Sequence, residues 1–114
     1  MVLAVTTMTH MPSVARPELP AGVGVAIDAL GNRVKAAAIR SLLVDGRATQ
    51  TELAARLSVT RSNLQLHLAV LEDLGVLLVH PPREEPDTRR RLYSVDVDRL
   101  RQLHEDLGRG LGLA

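Results

Sequence analysis

The chain contains no cysteine and a single aromatic residue, Tyr93, among its 114 residues. The absence of cysteine excludes disulfides, thiolate metal sites and a cysteine nucleophile, and it favours a reducing cytoplasm as the protein's location. One aromatic side chain cannot build a stacking platform for unpaired bases, which argues against recognition of single-stranded RNA. The core must therefore come from leucine, valine, alanine and isoleucine.

The sequence also lacks a long hydrophobic run and an excess of charge of either sign. Its apolar opening, MVLAV, is broken by Thr6 and Thr7 before a signal peptide or a membrane span develops. The net charge is +1, from 14 Lys+Arg against 13 Asp+Glu, so the distribution of charge has to decide whether the protein binds DNA. We expect a flexible arm over residues 1–20 and one small domain over residues 21–110.

Two helices are predicted in the first half of the domain. The segment VGVAIDAL, residues 23–30, is apolar and nearly uncharged, so its surface needs a cover, and a second copy of the chain is the favoured one. Asn32 is the predicted N-cap of the next helix, RVKAAAIRSLL, whose apolar residues recur at helical spacing. Asp45 and Gly46 end that helix.

Two further helices follow, joined by the short connection SVT. Thr49 and Glu52 have the spacing of a capping box, which predicts a helix over residues 50–57. Thr60 is the predicted N-cap of the next helix, which continues to Leu74 and stops at Gly75. A three-residue connection is too short for antiparallel packing, so the second helix must leave the first at a steep angle.

Two β-rich runs, VLLVH and LYSV, then flank the charged loop PPREEPDTRRR and predict a hairpin. A last helix, capped by Asp96 or Asp98, carries a leucine stripe and fades into glycines. The fold class is thus mainly α with a small β-hairpin. The order of a short helix, a tight turn, a longer helix and a hairpin is that of a winged helix-turn-helix.

Several motifs resemble those of the ArsR-type transcriptional regulators, which are small dimeric winged-helix repressors. The resemblance covers residues 30–95 and rests on LGN before a basic helix, on ELAARLSVT, on HLAVLEDLGVL and on RRRLYSV. It implies a cytoplasmic, homodimeric DNA-binding protein that regulates transcription. The sequence departs from the family pattern at the turn, where Ser58 stands in place of the frequent glycine.

The metal-sensing motifs of that family are absent. A cysteine pair is excluded, and Asp96, Asp98, His104 and Glu105 do not have the spacing of the family's second metal site. His67 lies near the core stripe of its helix, where packing is favoured over metal ligation. We therefore expect no metal, no cofactor and, because no catalytic constellation is found, no enzyme activity; a small effector or a protein partner is left open.

The fourth helix has two different faces on a helical wheel. Leu64, Leu68 and Leu71 form a core stripe, whereas Ser62, Gln65 and Leu66 face outward. A helix in the major groove can read adenine with glutamine and a thymine methyl with an apolar side chain, although an ordinary solvated face is the alternative. The residues predicted to contact DNA from this helix and its cap are Thr60, Arg61, Ser62, Asn63, Gln65 and Leu66.

Two more segments are predicted to contact DNA. The run Arg89, Arg90 and Arg91 is the one dense basic cluster, and in the wing it would meet phosphates, unless it is a solvated loop balanced by nearby acidic residues. Gln50 and Thr51, at the N-terminus of the preceding helix, are weaker candidates for phosphate contact.

The first and last helices are predicted to form a homodimer interface. Its expected residues are Val25, Ile27, Leu30, Leu100, Leu103, His104 and Leu107. The first hypothesis is a sequence-specific regulator, a repressor of the ArsR kind, that binds an inverted-repeat operator in double-stranded DNA as a homodimer. The alternative is a winged-helix module that docks a protein through Leu66 and does not bind specific DNA.

Overall fold

The computed structural model describes residues 17–86 and 90–113, so most of the predicted arm lies outside the described residues. Its elements are α1 (Val23–Leu30), α2 (Arg33–Val44), β1 (Ala48–Thr49), α3 (Gln50–Leu57), α4 (Arg61–Asp73), β2 (Leu77–His80), β3 (Leu92–Val95) and α5 (Val97–Gly110). This is the predicted winged helix-turn-helix, in which α3 and α4 form the helix pair and β2 and β3 form the wing.

The helix boundaries follow from side-chain caps. Asn32 Oδ1 accepts a hydrogen bond from the Lys35 N–H at 3.0 Å, and α2 begins there. The predicted capping box is formed, because the Thr49 N–H donates to Glu52 Oε1 at 2.8 Å and the Glu52 N–H donates to Thr49 Oγ1 at 3.1 Å. The hydrogen bond from the Thr49 N–H to the Glu52 carboxylate, with a smaller contribution from the Thr49 side chain, lowers the pKa of the Glu52 carboxyl below its ordinary value.

The turn between α3 and α4 depends on a left-handed residue. Ser58 has φ 56° and ψ 43°, which lets its N–H reach back to the last turn of α3 while the chain changes direction. Thr60 then caps α4 by accepting the Asn63 N–H on its hydroxyl at 3.2 Å. Ser58 thus adopts the left-handed conformation at the position where related proteins often have glycine.

The sheet has one strand more than the predicted hairpin, in the order β1-β3-β2. Strand β3 pairs antiparallel with β2, placing Tyr93 opposite Val79, and with β1, placing Tyr93 opposite Ala48. The extra strand attaches the wing to the residues that precede α3. Backbone hydrogen bonds at the base of the hairpin therefore join the wing to the start of the helix pair.

The core is aliphatic, as the composition requires, and Leu64, Leu68 and Leu71 of α4 are buried in it as predicted. The apolar face of α1 is also covered, but by the chain's own α5. The approach of these two helices is close enough that a Cβ at Gly110 would clash with the side chain of Val23. The cover that the sequence suggested from a second copy is thus supplied in part within one chain.

Candidate nucleic-acid interface

The outward face of α4 is open to solvent. Ser62, Asn63, Gln65 and Leu66 are exposed, and the exposed fraction of Leu66 reaches 70%, although it lies between two fully buried leucines. An apolar side chain in this position gains nothing from the core of its own chain. The face can therefore offer both hydrogen-bonding groups and an apolar contact to a bound molecule.

The start of α3 lies beside the start of α4. Gln50 Nε2 donates a hydrogen bond to the backbone carbonyl of Arg61 at 3.2 Å. This contact ties the two helices of the motif together, so Gln50 has an observed role in positioning α4. Thr51 is exposed next to it, and both residues line the same cleft as Arg61 and Gln65.

The cleft is an open depression of about 490 Å³ between α3, α4 and the wing. Its lining residues are Thr49, Gln50, Thr51, Arg61, Gln65, Ala69, Glu72, Asp73, Arg83, Arg90, Arg91 and Tyr93. Arginines from three separate segments thus face two neighbouring carboxylates of α4. The structure brings together most of the predicted DNA-contacting residues from α3, α4 and the wing.

The predicted arginine run divides into residues with different surroundings. Arg89 lies outside the described residues, and Arg90 is exposed at the cleft. Arg91 is half-buried, because its Nε donates to the Pro81 carbonyl at 3.1 Å and its guanidinium also donates to the Glu85 carbonyl at 3.0 Å. Arg91 therefore closes the wing loop, a structural role that the sequence pattern did not indicate.

An ion pair that the sequence does not predict joins the wing to α4. Arg83 donates to both carboxylate oxygens of Glu72, at 3.1 and 3.0 Å, and to the hydroxyl of Tyr93 at 3.1 Å. The hydrogen bonds to Glu72 raise the pKa of the Arg83 guanidinium, which stays fully charged. Eleven residues separate the partners, and neither a periodicity nor a motif in the sequence indicates this pairing.

The residues predicted to form a dimer interface are not equally exposed to solvent. Val25 and Ile27 of α1 are exposed by 36% and 41%, and His104 of α5 is exposed. Leu30, Leu100 and Leu107 are partly buried against the core of the same chain. Leu103 is a correction: it is 1% exposed because the leucine stripe of α5 packs on its own chain, so Leu103 cannot contact a partner directly.

Among residues 17–86 and 90–113, no group of three or more histidine and acidic side chains is placed to hold a metal ion. In the same ranges, no helix has the length and hydrophobicity needed to cross a membrane.

Comparison with known proteins agrees with this geometry. Residues 33–77 match the family model described as winged helix-turn-helix DNA-binding. An ArsR family transcriptional regulator of known structure aligns with a TM-score of 0.62 at 21% identity, over 86% of this chain and 95% of the other. This chain has the winged helix-turn-helix fold of that ArsR family regulator, with the family-model match confined to residues 33–77.

Two other solved structures extend the comparison for this winged-helix protein. A possible transcriptional regulator for arsenical resistance aligns with a TM-score of 0.53 at 26% identity, over 82% of this chain and 95% of that one. A mutant MarR from E. coli complexed with operator DNA aligns with a TM-score of 0.54 at 17% identity, over 97% of this chain and 76% of that one. No curated protein matches the sequence. The solved structures named here are those of transcriptional regulators.

Proposed function

We propose that the protein is a homodimeric transcriptional regulator, a repressor, that binds an inverted-repeat operator in double-stranded DNA. The observation that carries the proposal is the exposed face of α4, where Gln65 and Leu66 are turned away from the core. Arg61 and Arg90 line the cleft beside this face. A helix with such a face fits the major groove, and the flanking arginines suit phosphates. The winged helix-turn-helix family match supports DNA as the partner.

The residues on the exposed face of α4 and those that line the cleft have different roles within this proposal. Gln65 pairs with an adenine edge, Leu66 packs on a thymine methyl, and Ser62 and Asn63 bond to neighbouring bases or phosphates. Arg61, with Thr51, Thr60 and Gln50 nearby, meets the backbone at the start of α4. In the wing, Arg90 is exposed and lines the cleft, where it contacts phosphate.

Dimerisation uses the exposed side of α1 together with α5. Val25 and Ile27 supply the apolar centre, and His104 lies at the edge, with Leu30, Leu100 and Leu107 adding their partly exposed surfaces. A two-fold dimer presents two copies of α4 to half-sites about one helical turn apart. Sedimentation of the wild-type protein at DNA-binding concentrations tests this arrangement, and a monomer would contradict it.

A titration with random-sequence duplex DNA at several salt concentrations tests the DNA-binding role. The logarithm of the binding constant should fall linearly with the logarithm of salt concentration, and Arg90→Gln should reduce that slope by about 1. Arg101→Gln is the matched control, because Arg101 is an exposed arginine of α5 outside the cleft. If wild-type binding is weak and does not depend on salt, the proposal is wrong.

One observation favours a second candidate function, a protein-docking module. The exposed Leu66 is followed one turn later by Val70, which is 37% exposed, so the outward face of α4 carries a short apolar stripe. Such a stripe suits a helix or groove of another protein. The salt titration separates the two functions, since a docking module has little affinity for random duplex DNA.

A further inference from the structure

The ion pair of Arg83 with Glu72 links the loop of the wing to α4 at the cleft. Arg83 belongs to the loop after β2, Glu72 lies in the last turn of α4, and Tyr93 is in the middle strand of the sheet. One guanidinium therefore contacts the helix and the hairpin at the same time. The hydroxyl of the buried Tyr93 accepts a hydrogen bond from it, which fixes the direction from which Arg83 approaches.

A second arginine controls the other side of the same loop. Arg91 donates to the carbonyls of Pro81 and Glu85, residues that flank Arg83 in the sequence. The loop segment that carries Arg83 is thus held against the residue that precedes β3. These contacts join Arg83, through the loop, to the segment that carries Arg90.

The charges around the pair also matter. Glu72 and Asp73 are adjacent carboxylates that line the cleft, and an unpaired carboxylate there would repel a DNA phosphate. Glu72 is held by two hydrogen bonds from Arg83, whereas no ion pair of Asp73 is formed with the other residues of the described ranges. The two carboxylates therefore have similar positions and different partners.

We infer that Arg83 and Glu72, with the Tyr93 hydroxyl, are positioning residues that hold the wing at the angle required for DNA binding. They act through Arg90 and the return strand and need no contact with DNA of their own. The inference rests on the proposed function, because it concerns the geometry in which the cleft receives a duplex. It adds a role for three residues that lie outside the set predicted to contact DNA.

The test compares two substitutions that each remove one negative charge from the cleft, only one of which breaks the ion pair with Arg83. Glu72→Gln removes a negative charge from the cleft, and this electrostatic change alone would strengthen DNA binding. The same substitution removes the ion pair with Arg83, called the wing anchor below, and loss of the anchor weakens DNA binding. The anchor account predicts an affinity about two- to fivefold below wild type, the range that a partly exposed ion pair can transmit. Asp73→Asn is the matched control, because it removes the same charge one residue away, and its affinity should equal or exceed that of wild type.

A double-mutant cycle adds a second readout. Once Arg83→Gln has freed the wing, adding Glu72→Gln should cause no further loss of affinity, so the two effects are strongly non-additive. Because Tyr93 is the sole aromatic residue of the chain, its intrinsic fluorescence reports the local loss of Arg83 in each variant. The duplex for these titrations is one that the wild-type protein enriches from a random pool, and thermal unfolding of each variant confirms that it is folded.

The outcomes distinguish a failure of the wing-positioning role from a failure of the proposed DNA-binding function. If the wild type binds duplex DNA and Glu72→Gln binds as tightly as Asp73→Asn, the anchor is refuted while the proposed function stands. If the wild type enriches no duplex and shows no salt-dependent affinity, both are refuted. Weaker binding by Glu72→Gln together with non-additivity in the cycle supports the anchor.

Discussion

Replacement of Leu66 by alanine distinguishes thymine contact from an ordinary exposed position on α4. Leu66 is 70% exposed in the free protein, and full burial of a leucine side chain contributes about 1.5–3 kcal/mol, so complete coverage by DNA would contribute about 1–2 kcal/mol. Leu66→Ala should therefore weaken operator binding by up to about five- to thirtyfold. The free energy of unfolding should change by less than about 0.5 kcal/mol, because the side chain makes little contact in its own chain.

The assay is fluorescence anisotropy with an enriched duplex and with versions in which single thymines are replaced by deoxyuridine, which lacks the C5 methyl group. Wild-type protein should lose affinity at the thymine that Leu66 contacts, and Leu66→Ala should be insensitive to that replacement. Leu43→Ala is the matched control, because Leu43 is a helical leucine, 48% exposed, outside the cleft.

The salt dependence provides an internal check on the Leu66 experiment. No charge is changed, so the slope of affinity against salt concentration should be the same for wild type and Leu66→Ala. If Leu66→Ala binds the enriched duplex as tightly as Leu43→Ala, and both lose affinity equally on thymine replacement, then Leu66 does not read DNA.

Four further predictions concern stability. Ser58→Gly should stabilise the fold by about 1 kcal/mol in urea denaturation, because glycine adopts the left-handed turn conformation more easily. Gly110→Ala should destabilise it by about 1–3 kcal/mol, because the added methyl meets α1, whereas Gly24→Ala, with open space around it, should stabilise α1 by about 0.5–1 kcal/mol. Because hydrogen bonds from Thr49 lower the pKa of Glu52, the stability they provide is present above the ordinary pKa near 4.5 and is lost as the pH falls through the lowered value; Glu52→Gln should flatten that acidic part of the pH–stability profile.

Features encoded by neighbouring residues could be predicted from the sequence. The capping box of Thr49 and Glu52 and the cap by Thr60 depend on residues three apart, so their spacing is visible in the sequence. The buried and exposed faces of α4 follow from the same periodicity. Local geometry thus fixed the helix pair and much of the candidate interface.

Features that depend on distant partners could not be predicted. The leucine stripe of α5 indicates an apolar face, but whether the chain or a second copy covers it is a matter of tertiary packing, and the structure buries Leu103 within the chain. Strand β1 is two residues long and has no alternation to reveal it. The Arg83–Glu72 pair joins a loop to a helix, and each partner alone is an ordinary surface charge in the sequence.

The wing also shows why a basic run does not define a binding site by itself. Arg90 faces solvent at the cleft, whereas Arg91 donates to two loop carbonyls. Adjacent arginines with the same charge therefore differ in availability, since the guanidinium of Arg91 is engaged by the loop. The sequence indicated the positive charge of the wing and not which of these two arginines the loop engages.

The central claim, that two copies of α4 read an inverted repeat, is tested most directly by selecting bound sequences from a pool of random duplexes. The account predicts enrichment of a symmetric site whose half-site centres lie about one helical turn, about 10 base pairs, apart, with adenines and thymines at positions lost in Gln65→Ala and Leu66→Ala. A pool that shows no enrichment after repeated rounds, or an asymmetric site unchanged by both substitutions, would contradict it.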